Sequence, residues 1–128
     1  MPHENNKEKV AMKNIAVFAS GQRSNFQAII EAVKKRKIKA NISLLVCDNS
    51  DALVIDKAKR AKIKVFLIER KAFSNKDAFE SQIINKLNAE KIDLIVLAGF
   101  MRVLSARFVS HFKNKIINIH PAKPKFPI

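Results

Sequence analysis

Short apolar runs alternate along this chain with longer stretches whose apolar residues return at helical spacing. Asn14 to Ala19 (NIAVFA) is an apolar run that breaks at Ser20-Gly21, as a buried strand entering a turn does. From Ser24 the period changes, and Phe26, Ile29, Ile30 and Val33 fall at i, i+3, i+4 and i+7, the stripe of a helix that runs into a basic patch. Ile42 to Val46 (ISLLV) reads as a second strand, and Asn49-Ser50-Asp51 offers caps for a helix that turns Val54, Ala58 and Ala61 inward. Lys64 to Ile68 (KVFLI) reads as a third strand. Ser74-Asn75 then caps a helix carrying Phe79, Ile83, Ile84 and Leu87, and Asp93 to Leu97 (DLIVL) follows as a fully buried strand. Ser105 caps a short helix bearing Phe108, Val109 and Phe112, and Lys115 to Ile119 forms a fifth strand.

The order is βαβαβαβαβ. Buried strands separated by helices of this length predict an α/β fold, an open parallel sheet with helices on both faces and right-handed crossovers. In such sheets ligands bind beyond the carboxyl ends of the strands. The segments that matter are therefore Ser20 to Asn25, Cys47 to Asp51, Ala98 to Arg102 and Asn118 to Pro121, and all four are expected on one edge.

Composition narrows the setting. With 128 residues and 48% hydrophobic content, the chain can bury one core and about two-thirds of its unfolded surface. Residues 1–11 are polar, no apolar run approaches the length of a membrane span, and a cytoplasmic protein without membrane contact is expected. Cys47 is the single cysteine, which excludes an intrachain disulfide and suits a small buried core residue. A net charge of +14, from 25 basic and 11 acidic residues, attracts anions without choosing among them. The denser run Lys34, Lys35, Arg36, Lys37 and Lys39 suits a solvated helix end better than a nucleic-acid site, since Tyr and Trp are absent and only phenylalanines could stack.

Three motifs carry chemistry. Ser20-Gly21-Gln22-Arg23-Ser24-Asn25 joins a strand to a helix, so backbone N–H groups, the Ser24 hydroxyl, the Asn25 amide and the Arg23 charge could hold a phosphate; an ordinary capped turn explains it equally. A second glycine at Arg23 would be needed for a dinucleotide fingerprint. Gly99 permits a positive φ beside Phe100, Met101 and Arg102, which either line a ligand or pack in the core. Asn118 and His120 lie two apart at a strand end and share a side, so an amide donor and a titratable imidazole can face one group. His3 and His111 read as surface or structural residues. Asp48, Asp51 and Asp56 are explained by capping and solvation, with no carboxylate dyad and no metal site.

Taken together, SGQRSN, AGFMRVLS and NIHP, in that order on these strands, resemble the glycinamide ribonucleotide formyltransferases of purine biosynthesis, from about Met12 to Pro121. The resemblance implies a Rossmann-like fold and transfer of a formyl group from 10-formyltetrahydrofolate, as cosubstrate, to the amine of phosphoribosylglycinamide. It places Arg23, Ser24 and Asn25 in the substrate-phosphate loop. Lys76 falls at a basic position used toward the folate, and Met101, Arg102, Val103 and Leu104 form part of the folate pocket. Asn118 matches the folate-contacting, oxyanion-stabilising asparagine and His120 the catalytic acid.

The chain departs from the family pattern twice. Arg23 stands where glycine is usual, and the Pro-Ser/Ala-Leu-Leu-Pro continuation is replaced by Pro121-Ala122-Lys123-Pro124-Lys125. The expectation is a polar extension over residues 1–11 and a single domain over 12–128 that lacks the family's C-terminal part, including the aspartate that orients the histidine, with activity impaired or lost. Two alternatives stand beside this one. The first is a folate-dependent formyltransferase of the methionyl-tRNA type; the second is a noncatalytic basic chain that binds anions or nucleic acid.

Overall fold

The computed structural model describes residues 13–21, 24–35 and 39–119, with the side chains of Ser24 and Asn25 excepted. Five strands, β1 (Lys13–Ala19), β2 (Ala40–Cys47), β3 (Lys64–Leu67), β4 (Leu94–Ala98) and β5 (Ile116–Ile119), alternate with four helices, α1 (Ser24–Lys34), α2 (Leu53–Arg60), α3 (Lys76–Ala89) and α4 (Ala106–His111). All four strand pairings are parallel, in the order β3-β2-β1-β4-β5. Every strand anticipated from the apolar runs is present, with ends that differ by one or two residues.

The period-two alternation of the strands sorts side chains into two cores, one on each face. Ile15, Val17 and Ala19 of β1 pack with Phe26, Ile29 and Ile30 of α1 and Val54 and Ala58 of α2. Ala16 and Phe18 point the other way, into Phe79, Ile83, Ile84 and Leu87 of α3, Phe108 of α4 and Phe112 at its C-terminal cap. Strand β2 breaks the alternation: Ile15 pairs with Ile42 but Ala16 pairs with Leu44, so Ser43 forms a bulge. Ile42 and Leu45 therefore face the same core although they lie three positions apart.

The helix starts follow local chemistry with one correction. Asn75 accepts from Ala78 N at 2.8 Å and Ser105 from Phe108 N at 3.1 Å, both as anticipated. The Asn49-Ser50-Asp51 cluster does not cap α2. Asn49 Oδ1 instead accepts from Asp51 N at 3.0 Å in a turn, and the cap position falls to Ala52, which has no side-chain bond to give. Ala61 is the C-cap of α2 and packs against the same core as Val54 and Ala58, as anticipated, while Val109 on α4 is 46% exposed.

Candidate functional site

The strand order reverses between β1 and β4, since the chain moves from β1 toward β2 and β3 on one side and from β4 to β5 on the other. Loops leaving two such strands diverge and open a crevice beyond their carboxyl ends. A cavity of about 750 Å3 lies there, with walls from the exits of β1 (Ser20, Gly21), β2 (Asp48, Asn49), β3 (Glu69 to Lys71) and β4 (Ala98, Gly99, Met101, Arg102).

Its floor is tied across the reversal. Ser20 N donates to Gly99 O at 3.3 Å, and Ser20 Oγ accepts from Met101 N at 2.8 Å. Gly99 makes the second bond possible: at φ +78° it turns the chain back toward β1, a conformation that a residue with a Cβ adopts only with strain. The residues after it then divide. Phe100 packs edge-on against Phe18, ring centres 5.2 Å apart, whereas Met101 and Val103 are 79% and 78% exposed. Leu104 packs in part on the α3 and α4 core.

Arg102 crosses the crevice. Its Nε donates to Asp48 Oδ2 at 2.7 Å, with the Asp48 side chain buried and the guanidinium half-exposed. Capping and solvation therefore do not account for Asp48, in contrast to the reading of its sequence surroundings. A buried carboxylate needs a paired charge, and its Oδ1 still has no hydrogen-bond partner. Next to it Cys47 is fully buried, its Sγ donating to Asn49 O at 3.4 Å, and burial pushes the thiol above its ordinary range, with Asp48 adding to the effect. This is the profile of a packed core residue, as expected, and not of a nucleophile.

The other anticipated residues are placed as follows. Asn118 is exposed in β5, opposite Leu97, on the same side of the strand as Ile116 and outside the cavity lining. Lys76 opens α3, is half-buried and does not belong to the cavity lining. Ser24 and Asn25 begin α1, so their backbone follows the β1 exit as expected. Arg23 and His120 lie outside the described residues, as does most of the basic run after Lys35. The charged run Glu69-Arg70-Lys71 went unnoticed in the sequence. The rule that sites gather at carboxyl ends would have found it, since it directly follows the third apolar run. Among the described residues no group of three His, Cys, Asp or Glu could hold a metal, and no helix is long and apolar enough to cross a membrane.

Comparison with known proteins agrees with the fold. The chain is 45% identical over 117 residues to the phosphoribosylglycinamide formyltransferase of Bacillus subtilis, covering 91% of this chain and 60% of that protein. It is 40% identical over 115 residues to the enzyme of the same name from Escherichia coli, covering 89% of this chain and 54% of that protein. Among solved structures, glycinamide ribonucleotide transformylase 1 from Geobacillus kaustophilus superposes with a TM-score of 0.83 at 45% identity, over 91% of this chain and 62% of that one. The chain thus spans a little over half the length of these two curated relatives. The formyl transferase model matches residues 13–127, and this chain belongs to that family.

Proposed function

We propose that this chain carries the substrate crevice of a phosphoribosylglycinamide formyltransferase, which moves the formyl group of 10-formyltetrahydrofolate to the substrate amine in purine biosynthesis in the cytoplasm. The observation that supports this reading most is the AGFMR segment itself. Gly99 is held at φ +78° where the sheet order reverses, and Met101 and Val103 are presented to solvent instead of being packed.

The chemistry suits these residue types. The amine of phosphoribosylglycinamide adds to the formyl carbon, negative charge develops on the formyl oxygen, and the bond from carbon to the folate nitrogen then breaks. The Asn118 amide is a fixed donor for that oxygen. His120 as imidazolium would add to its stabilisation and hand a proton to the departing nitrogen, and the proton lost by the attacking amine would restore the imidazolium, so the transfer is proton-neutral. Arg23, Ser24 and Asn25, after β1, would take the substrate phosphate at the N-terminus of α1. Lys76, Met101, Arg102, Val103 and Leu104 would face the folate, whose apolar ring system suits exposed Met101 and Val103.

Ligand-induced stabilisation tests the substrate class. Phosphoribosylglycinamide at one hundred times its dissociation constant should stabilise the fold by about 2.7 kcal/mol, while tRNA should not. A formyl-transfer assay with both substrates then tests the chemistry. Stabilisation by tRNA alone, or by neither compound, would sink the reading.

A further inference from the structure

Glu80, on the second turn of α3, is completely enclosed and has no place in the chemistry above. Both of its carboxylate oxygens accept from one residue: Oε2 from Ser105 N at 2.8 Å and Oε1 from the Ser105 hydroxyl. Ser105 Oγ in turn accepts from Phe108 N and caps α4. Enclosing a carboxylate is strongly unfavourable unless its oxygens are satisfied, and a well-packed apolar side chain of the same size would often serve stability as well or better. What the carboxylate adds is a fixed position for the Ser105 backbone.

Ser105 is where the exposed wall of the crevice ends. The start of that wall is tied by Met101 N to Ser20 Oγ and by Arg102 to Asp48. Met101 and Val103 pack on little, so these tethers set where they stand. Without Glu80 the far end would rest on Leu104 packing and on the bonds by which Ser105 opens α4.

We propose that Glu80 is a positioning residue: acting through Ser105, it sets the Met101–Leu104 wall against the formyl donor. The assignment of that wall to the donor rests on the function proposed above. Glu80 touches no substrate, and its role is to keep this wall in one place while the phosphate side of the crevice is held by other elements.

Three variants of the chain, Glu80→Met, Glu80→Gln and Ser105→Ala, test this by amide hydrogen exchange and by separate titrations with 10-formyltetrahydrofolate and phosphoribosylglycinamide. Glu80→Met should speed exchange across Met101–Ser105 by about tenfold while β1 and β2 stay protected, with Glu80→Gln intermediate. Donor affinity should fall by about tenfold and phosphoribosylglycinamide affinity by less than about twofold, a split that general destabilisation would not produce. If Glu80→Met does not fold, Ser105→Ala, which removes the hydroxyl bond to Glu80 Oε1 and the α4 cap but keeps Ser105 N on Oε2, is expected to show the same pattern in weaker form, with faster exchange in the first turn of α4 as well. Unchanged exchange at Met101–Ser105, a uniform rise across the sheet, or equal weakening of both ligands overturns the proposal. A wild-type chain that binds no donor sinks the formyl-transfer reading instead, and the exchange pattern alone then decides the role of Glu80.

Discussion

Arg102, just beyond β4, reaches past β1 to Asp48 at the end of β2, Nε to Oδ2 at 2.7 Å, and so closes one side of the crevice. The two partners are unequal. Asp48 is buried and keeps one oxygen unpartnered, while Arg102 remains half in water. Arg102→Ala should therefore cost more than Asp48→Asn, because it leaves a buried charge with no partner. The expected loss is about 1 to 3 kcal/mol, reduced from that of a fully buried pair by the exposure of the guanidinium. Urea unfolding of both single variants and the double variant checks this; losses that simply add would mean that the pair is energetically idle.

Cys47 makes stability depend on alkaline pH. Burial raises its thiol pKa in the folded chain, so the unfolded chain loses the proton first as pH rises. The corresponding stability is complete below the ordinary thiol value of about 8.5 and declines above it. The urea midpoint should fall more steeply between about pH 8 and 10 in the wild type than in Cys47→Ala. Parallel curves would remove the thiol from the account.

Gly99→Ala separates backbone strain from crowding. A Cβ there would meet nothing within 4 Å, yet φ is +78°. The cost should be purely conformational, about 1 to 2 kcal/mol by thermal or urea unfolding. A neutral substitution would show that the turn relaxes.

Lys62 and Lys91 adopt φ +62° and +55° just past the ends of α2 and α3, where glycine is the usual residue. The bonds Ile63 N to Ala58 O and Ile92 N to Leu87 O close both helix ends in the same way. Lys62→Gly and Lys91→Gly should each raise stability by roughly 0.5 to 1 kcal/mol, additively, since they lie in separate loops. Calorimetry reads the sum.

Asn118→Ala should leave folding intact, because its side chain is exposed. On the role proposed for it above, formyl transfer should drop by about 100- to 1,000-fold, the usual cost of one oxyanion donor. A loss of less than about tenfold would assign the amide to binding alone.

The fold was largely legible in order of elements. Apolar runs with period two and stripes with period 3.6 are local signals, and Phe79, Ile83, Ile84 and Leu87 are all buried as their spacing demands. The Ser43 bulge was not legible, since it concerns which residue of β2 faces which residue of β1. The site divided in the same way. Gly99 and the carboxyl-end rule led to the crevice, whereas Asp48 looked like a solvated acid among neighbouring acids and Glu80 like one more charge on a helix.

By itself the sequence determined the alternation of strand and helix, the caps at Asn75 and Ser105, and the motifs that mark the family, because each depends on residues close together in the chain. Only the tertiary structure decided the strand order, the pairing of Asp48 with Arg102 across 54 positions and of Glu80 with Ser105 across 25, and hence which acids are buried. Burial makes a carboxylate require a partner, and burial is set by the packing of the whole sheet rather than by any neighbour in sequence.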